Sequence, residues 1–206
     1  LADKHNFIIR VLQGTFSHDR HQTKIFNLSR NKKVNAHDVD IVKVVTEIDI
    51  ERIPYLDITI MYKPDDLPFK NAYEVIKDHI TESGIGKVDL FVNHGYFEHL
   101  LPKGIPYMPS NTLTENKISP FVKGVILNGH VHTHRIFGKV INNGSFERLN
   151  HGEEESKGFV YLQYNKSNSS VKTEFIKNEG ATTFASVDVS RYEPDIDACK
   201  EFAKNK

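Results

Sequence analysis

The sequence predicts a layered α/β fold with a two-sheet core and flanking helices, and three observations point to it. Short apolar runs rich in β-branched residues, at 6–13, 88–93 and 124–128, read as buried strands. Phe69, Ala72, Tyr73, Ile76 and Ile80 recur at helical spacing between the first two of them. From residue 135 onward the chain is β-rich, with turn residues between its apolar runs.

Taken in order, residues 6–13, NFIIRVLQ, form a strand that ends at Gly14 and delivers the loop GTFSHD at 14–19. Residues 22–30 read as a short helix with Ile25, Phe26 and Leu28 apolar. Residues 40–46 and 55–62 are β-rich and read as antiparallel neighbours, separated by a charged stretch that contains Pro54. Asp65 and Asp66, followed by Pro68, open the clearest helix, and Gly84 offers its stop. VDLFVN at 88–93 is a buried strand with His94 at its end. Residues 100–121, with Pro102, Pro106, Pro109 and Pro120, read as a long ordered loop. Residues 124–128 form another apolar strand, which leads to His130 and His132. Strands follow at 135–142, 158–164 and 171–176, with SNSS at 167–170 as a hairpin turn. Residues 182–190 read as one more strand, and 194–206 as a terminal helix with Ile196, Cys199 and Phe202 on one face. Residues 1–178 thus make one domain, and 179–206 a C-terminal extension of strand plus helix.

A chain of 206 residues suffices for one full domain. Its 27 Lys and Arg balance 27 Asp and Glu, so no global basic field points to a polyanion, and any such contact must be local. One cysteine, Cys199, excludes an intrachain disulfide and fits a reducing compartment. No apolar run approaches 18 residues and no signal pattern opens the chain, so it reads as soluble and cytoplasmic, without a membrane partner. The unusual count is 11 histidines.

Several of these lie where strands deliver loops. In GHVHTH, residues 129–134, His130 and His132 are two apart, and in an extended segment such residues point the same way, so both imidazoles can face one metal cluster. Two incidental surface histidines are the alternative, and His134 is the weaker third candidate. His94 stands between a buried strand and Gly95; alone, it equally suits a histidine satisfied by a backbone carbonyl. His18 has Asp19 beside it, a carboxylate able to orient the imidazole, although Asp19 could instead cap the helix that follows. Jointly, three strand ends releasing histidine argue for chemistry, because α/β folds place their sites there.

The ordered series GTFSHD, VNHG, GHVHTH and NNGSFERLNHGEEESKGFVYL resembles the calcineurin-like metallophosphoesterases, and within them the SbcD-type nucleases and their phage relatives. The most discriminating part is Gly144, Ser145, Glu147, Arg148, Gly152, Glu153, Lys157, Gly158 and Phe159, which matches a GS-ER-GE-KGF pattern; the resemblance spans residues 6 to 165. It implies hydrolysis of phosphodiester bonds at two divalent ions, Mn²⁺ or Mg²⁺. His94 and His130 would ligate one ion and His132 the other, Ser17 stands where the family has a metal-binding Asn, and His18, with Asp19, would steady the scissile phosphate and assist the leaving oxygen. The family's DxH and GDxxD motifs have no counterpart upstream of His18. The visible ligands are then neutral, and imidazoles alone hold two hard dications poorly. Leu1 is not an initiator Met, and residues 1–178 correspond to the C-terminal portion of the family's domain. The expectation is therefore an N-terminal segment, on a separate polypeptide or upstream on the same one, that supplies the acidic ligands and pairs the strand at 6–13.

As partners the resemblance implies DNA and an SbcC-like ATPase subunit, and a homodimer is compatible with it. Arg20, Arg148 and Tyr96 are the leading nucleic-acid contacts, with Lys24, Arg30, Lys32, Lys33 and Arg135 as further cations and Phe97 as a second ring beside His94. Two other functions fit the sequence: a phosphoesterase of nucleotides or other small phosphodiesters, and an inactive structural subunit of a nuclease–ATPase complex.

Overall fold

A computed structural model describes residues 7–15, 39–65, 71–101 and 112–184, together with Thr23, Ile25, Gly104, Asp197, Lys200, Glu201 and Lys204. Its centre is a six-stranded mixed sheet in the order β3 (Asp49–Ile53), β4 (Ile58–Lys63), β5 (Leu90–His94), β8 (Ile126–Gly129), β10 (Val140–Asn142), β9 (Arg135–Phe137). The four inner strands, β4, β5, β8 and β10, run parallel, and β3 and β9 flank them antiparallel. Parallel inner strands are buried on both faces, which is why their sequences read as continuous apolar runs.

Side chains alternate between the two faces, as the period of a strand requires. Met61, Phe91, Ile126 and Val140 point to one side, where Ala72, Ile76 and Ile80 of helix α1 (Ala72–Ser83) cover them. Ile60, Tyr62, Leu90, Val125 and Ile141 point to the other. There they meet Leu12 of β1 (Ile9–Leu12), Val45 of β2 (Val42–Val45), and Val160, Leu162 and Tyr164 of β11 (Gly158–Asn165), which forms a hairpin with β12 (Ser170–Lys177). The layers are thus helix, six-stranded sheet and β-ribbons. The Tyr164 hydroxyl donates to the buried Asp89 carboxylate at 3.2 Å and fastens the hairpin to the sheet.

Four expectations change. Residues 40–46 do not pair with 55–62: β2 lies parallel to β1 in a sheet of two strands, and the partner of β4 is β3, drawn from the charged stretch between them. That stretch can be a strand because its charges are matched: Arg10 on β1 holds Glu51 at 2.7 Å through two nitrogens, and Lys43 on β2 holds Asp49 at 2.6 Å. The Pro-rich stretch is not all loop, since β6 (Tyr96–Phe97) pairs with β7 (Thr112–Leu113), and a short helix α2 (Glu115–Ile118) follows. Residues 135–142 are two strands instead of one, β9 and β10, turning at Gly138. Helix α1 begins later than Asp65: Asn71 caps it by accepting from the Tyr73 N–H, and Gly84 ends it at φ 68°.

Of the helix read at 22–30, only Thr23 and Ile25 are described. Residues 182–184 carry no strand, and 185–190 lie outside the described residues; within 194–206, Asp197, Lys200, Glu201 and Lys204 are helical. Among the described residues no helix is long and apolar enough to cross a membrane.

Candidate metal centre

The parallel strands β4, β5 and β8 end side by side, and each end presents one ligand type. His94 is the last residue of β5 and stands in register with Gly129, the last of β8. Gly129 leaves room for the ring: a Cβ there would approach the His94 ring to 3.3 Å, tighter than ordinary contact. His130 follows at once, at φ 92°, a backbone region that side chains rarely enter and that costs on the order of 1–3 kcal/mol. Asp65 lies two residues beyond the end of β4.

Donor atoms of Asp65, His94 and His130 all lie within 4.8 Å of one another. Asp65 Oδ2 is 3.7 Å from His94 Nδ1 and 3.8 Å from His130 Nδ1. The Thr15 hydroxyl, in the loop after β1, donates to Asp65 Oδ2 at 2.5 Å and lies 3.3 Å from His130 Nδ1. Burial pushes the Asp65 carboxyl up, but the His94 ring, the Thr15 hydroxyl and the nearby Lys63 charge outweigh it and hold the group well below the usual carboxylate range. At 3.7 Å the separation from His94 is too long for a hydrogen bond. Among the described residues, the Nδ1 of His94 is consequently a buried polar atom without a hydrogen-bond partner.

That orphaned nitrogen tests whether an ion fits. Two donors on one ion with bonds of about 2.1 Å stand at most about 4.2 Å apart. The separations of 3.7 and 3.8 Å meet that limit, and two imidazoles with an ionised carboxylate suit a divalent transition ion. Both separations from Asp65 thus suit one ion, and the triad is a candidate metal site.

A polar row supports these strand ends from below. Lys63, Asn93, Asn128 and Asn142 occupy the same register on the four parallel strands, and all are buried. Asn93 Nδ2 donates to Asn128 Oδ1 at 2.6 Å, and Asn128 Nδ2 to Asn142 Oδ1 at 2.7 Å. Asn142 Nδ2 then donates to the carbonyls of Val131 and Thr133, at 2.8 and 2.6 Å, and so clamps the GHVHTH loop. Lys63 Nζ donates to the carbonyls of Pro64 and His94.

His132 lies outside the triad and is held separately: Glu153 Oε1 accepts from its Nδ1 at 2.8 Å, and Glu153 Oε2 binds Lys157 at 2.7 Å. Burial pushes the Glu153 carboxyl up, but His132, Lys157 and the Leu149 amide more than offset this and hold it at about 2. A carboxyl held below its ordinary 4.5 stabilises the fold above that pH, and the contribution is lost as the pH falls from 4.5 toward 2. Acid unfolding followed by circular dichroism is expected to find the wild type more stable than Glu153→Gln near neutrality and the difference gone by about pH 2. His134 is turned to packing, with Nδ1 donating to the Asn142 carbonyl at 2.9 Å and its ring stacked on Phe175 at 4.4 Å.

Ser17, His18, Asp19 and Arg20, with Lys24, Arg30, Lys32 and Lys33, lie outside the described residues. Tyr96 sets its ring edge-on to His130 at 4.3 Å, and Phe97 is fully buried in the core, unavailable for stacking. Arg148 donates to the backbone carbonyls of Glu153, Glu155, Ala181 and Thr182, so its guanidinium braces loops and has little left for a phosphate. Asp65 adds an acidic candidate to a ligand set that reads as neutral in the sequence. Its Asp-Asp-x-Pro context reads as a helix start, yet it also closely follows an apolar strand, the same placement that marks His94 and His130. No family model matches the chain, and no curated protein matches it.

Proposed function

We propose that the chain is a metal-dependent phosphodiesterase acting on DNA, of the SbcD-type branch of the calcineurin-like metallophosphoesterases. The observation that carries this reading is the convergence of Asp65, His94 and His130 at adjacent parallel strand ends, with a buried His94 nitrogen that has no hydrogen-bond partner among the described residues. The motif series GTFSHD, VNHG, GHVHTH and GS-ER-GE-KGF supports assigning the triad to phosphoester chemistry.

Divalent ions, Mn²⁺ or Mg²⁺, would supply Lewis-acid activation of water and offset charge on the phosphate oxygens. In this reading Asp65, His94 and His130 hold one ion, and His132 contributes to a second, with Ser17 as a further oxygen donor. Asp65 brings the negative charge that a set of imidazoles lacks, and the Thr15 hydroxyl and Lys63 keep it ionised. His18, oriented by Asp19, steadies the scissile phosphate and passes a proton to the leaving oxygen. An N-terminal segment with further aspartates completes the second ion's ligands, DNA is the substrate, and an SbcC-like ATPase is the partner.

The test is cleavage of linear double- and single-stranded DNA with Mn²⁺, by the chain alone and with its upstream segment, alongside His18→Ala. The expected result is Mn²⁺-dependent cleavage that falls sharply in His18→Ala. Activity indifferent to His18 overturns the mechanism. Hydrolysis of nucleotides but not DNA selects the small-substrate phosphoesterase, and Mn²⁺ binding with no hydrolysis selects the structural subunit. The donor set alone would also serve a single Zn²⁺ or Fe²⁺, which metal analysis of the purified protein distinguishes.

A further inference from the structure

The GS-ER-GE-KGF segment, the most discriminating stretch of the sequence, contributes nothing to the triad; its side chains close around His132 instead. Lys157 Nζ donates to the His132 carbonyl at 3.2 Å while holding Glu153 at 2.7 Å, and Glu153 holds the His132 ring at 2.8 Å. One residue is therefore gripped at both its backbone and its ring, and the two gripping groups bind each other. The Ser145 N–H also donates to the His132 carbonyl, at 3.1 Å. Gly144, at φ 77°, passes so close that a Cβ would stand 2.8 Å from the His134 nitrogen and 3.0 Å from the His132 carbonyl. Arg148 Nε, donating to the Glu153 carbonyl at 2.8 Å, fixes the loop that carries the carboxylate.

The burial of this arrangement exceeds what an ordinary surface pair needs. The Lys157 side chain is 0% exposed and that of Glu153 15%, whereas the His132 ring they serve stays 40% exposed. A buried ion pair is weak evidence for stability, because apolar residues of similar size often serve as well. Its use here is directional: the grip falls on one ring nitrogen, and among the described residues no hydrogen bond reaches the other. Carboxylates that fix ligand imidazoles in this way set which nitrogen carries the proton and which can bind a ligand.

We propose that Glu153, braced by Lys157 and Arg148, is a positioning residue that fixes His132 with Nδ1–H on the carboxylate and Nε2 presented as a ligand. That Nε2 serves a second divalent ion rests on the function proposed above; the fixed orientation does not.

The experiment is ¹⁵N NMR of the His132 ring in the full chain, for the wild type, Glu153→Gln, and Glu153→Gln/Lys157→Met. The double variant leaves no unpaired ammonium in the interior, so it tests orientation even where the single variant fails to fold. Wild type is expected to hold the Nδ1–H tautomer, and the folded double variant to release it into a mixture of both. In parallel, titration with Mn²⁺ alone is expected to show about 10–100-fold weaker binding at the second site of the double variant. An unchanged tautomer in a folded double variant overturns the proposal. Failure of wild type to bind Mn²⁺ counts against the metal reading only, and the tautomer then decides the positioning role.

Discussion

Asp65→Asn is expected to weaken divalent-ion binding at the triad by at least about 100-fold, since even partners one step removed from an ion are worth 10–100-fold. The side chains are nearly the same size, so the change is one of charge. Asn keeps one oxygen acceptor for the Thr15 hydroxyl but no longer offsets the cation, and the triad becomes two imidazoles and an amide. Isothermal titration with Mn²⁺ checks this, with circular dichroism confirming the fold. If the metal reading is right, DNA cleavage falls with binding. Unaltered binding in a folded Asp65→Asn variant would place the ion elsewhere and remove the main support for the proposed function.

Much of the candidate site was legible because strand ends announce themselves. His94 and His130 each follow an apolar run, and the parallel sheet brings such ends together without any further signal. Asp65 obeys the same rule, at the end of a run that closes with Tyr62 and Lys63, but two acidic residues ahead of a proline carry a strong helix-start pattern that masked it. Strand β3 was hidden for a related reason. Asp49, Glu51 and Arg52 look like solvated polar residues until their partners are known, and those partners, Arg10 and Lys43, lie on strands remote in sequence. Local pattern reports which face is apolar. It does not report which distant charge will arrive to neutralise an acid, and the omission of β3 is of that kind.

The roles of the polar residues beneath and behind the histidines were likewise invisible in sequence, because Asn93, Asn128, Asn142 and Lys157 acquire meaning only through register. In sequence an Asn at the end of an apolar run marks a turn. In the sheet three of them form a hydrogen-bonded row across adjacent strands, with the last one reaching up to the loop that carries His130 and His132. The resemblance singled out residues 144–159 without saying what they do. The structure gives several of them a mechanical task, gripping the far side of the same loop.

Asn142→Ala then tests whether this support matters. The substitution removes one side chain that is 0% exposed and makes three hydrogen bonds, and it strands the groups at their other ends. Asn128 Nδ2 loses its acceptor inside the sheet, and the carbonyls of Val131 and Thr133 lose their donor. Each buried polar group left without a partner costs about 1–3 kcal/mol. The Asn128 amide cannot turn away without giving up Asn93, whose Nδ2 depends on the Asn128 oxygen. Relaxation of the loop can recover part of the cost for the carbonyls, but only by releasing the backbone that keeps His130 at φ 92°. The expected result is a loss of about 3 kcal/mol or more in chemical denaturation, a large share of the 5–15 kcal/mol that holds a typical domain. The surviving folded fraction should also bind Mn²⁺ more weakly, although no residue of the triad has changed. Asn142→Asp separates the two effects: it keeps the size and the acceptor for Asn128 but, even when protonated, has one O–H for the two carbonyls in place of an NH2, so impaired binding in that variant implicates the clamp itself. If Asn142→Asp binds Mn²⁺ as tightly as wild type, the loop is held by Lys157, Ser145 and Glu153 alone, and the asparagine row serves the sheet only.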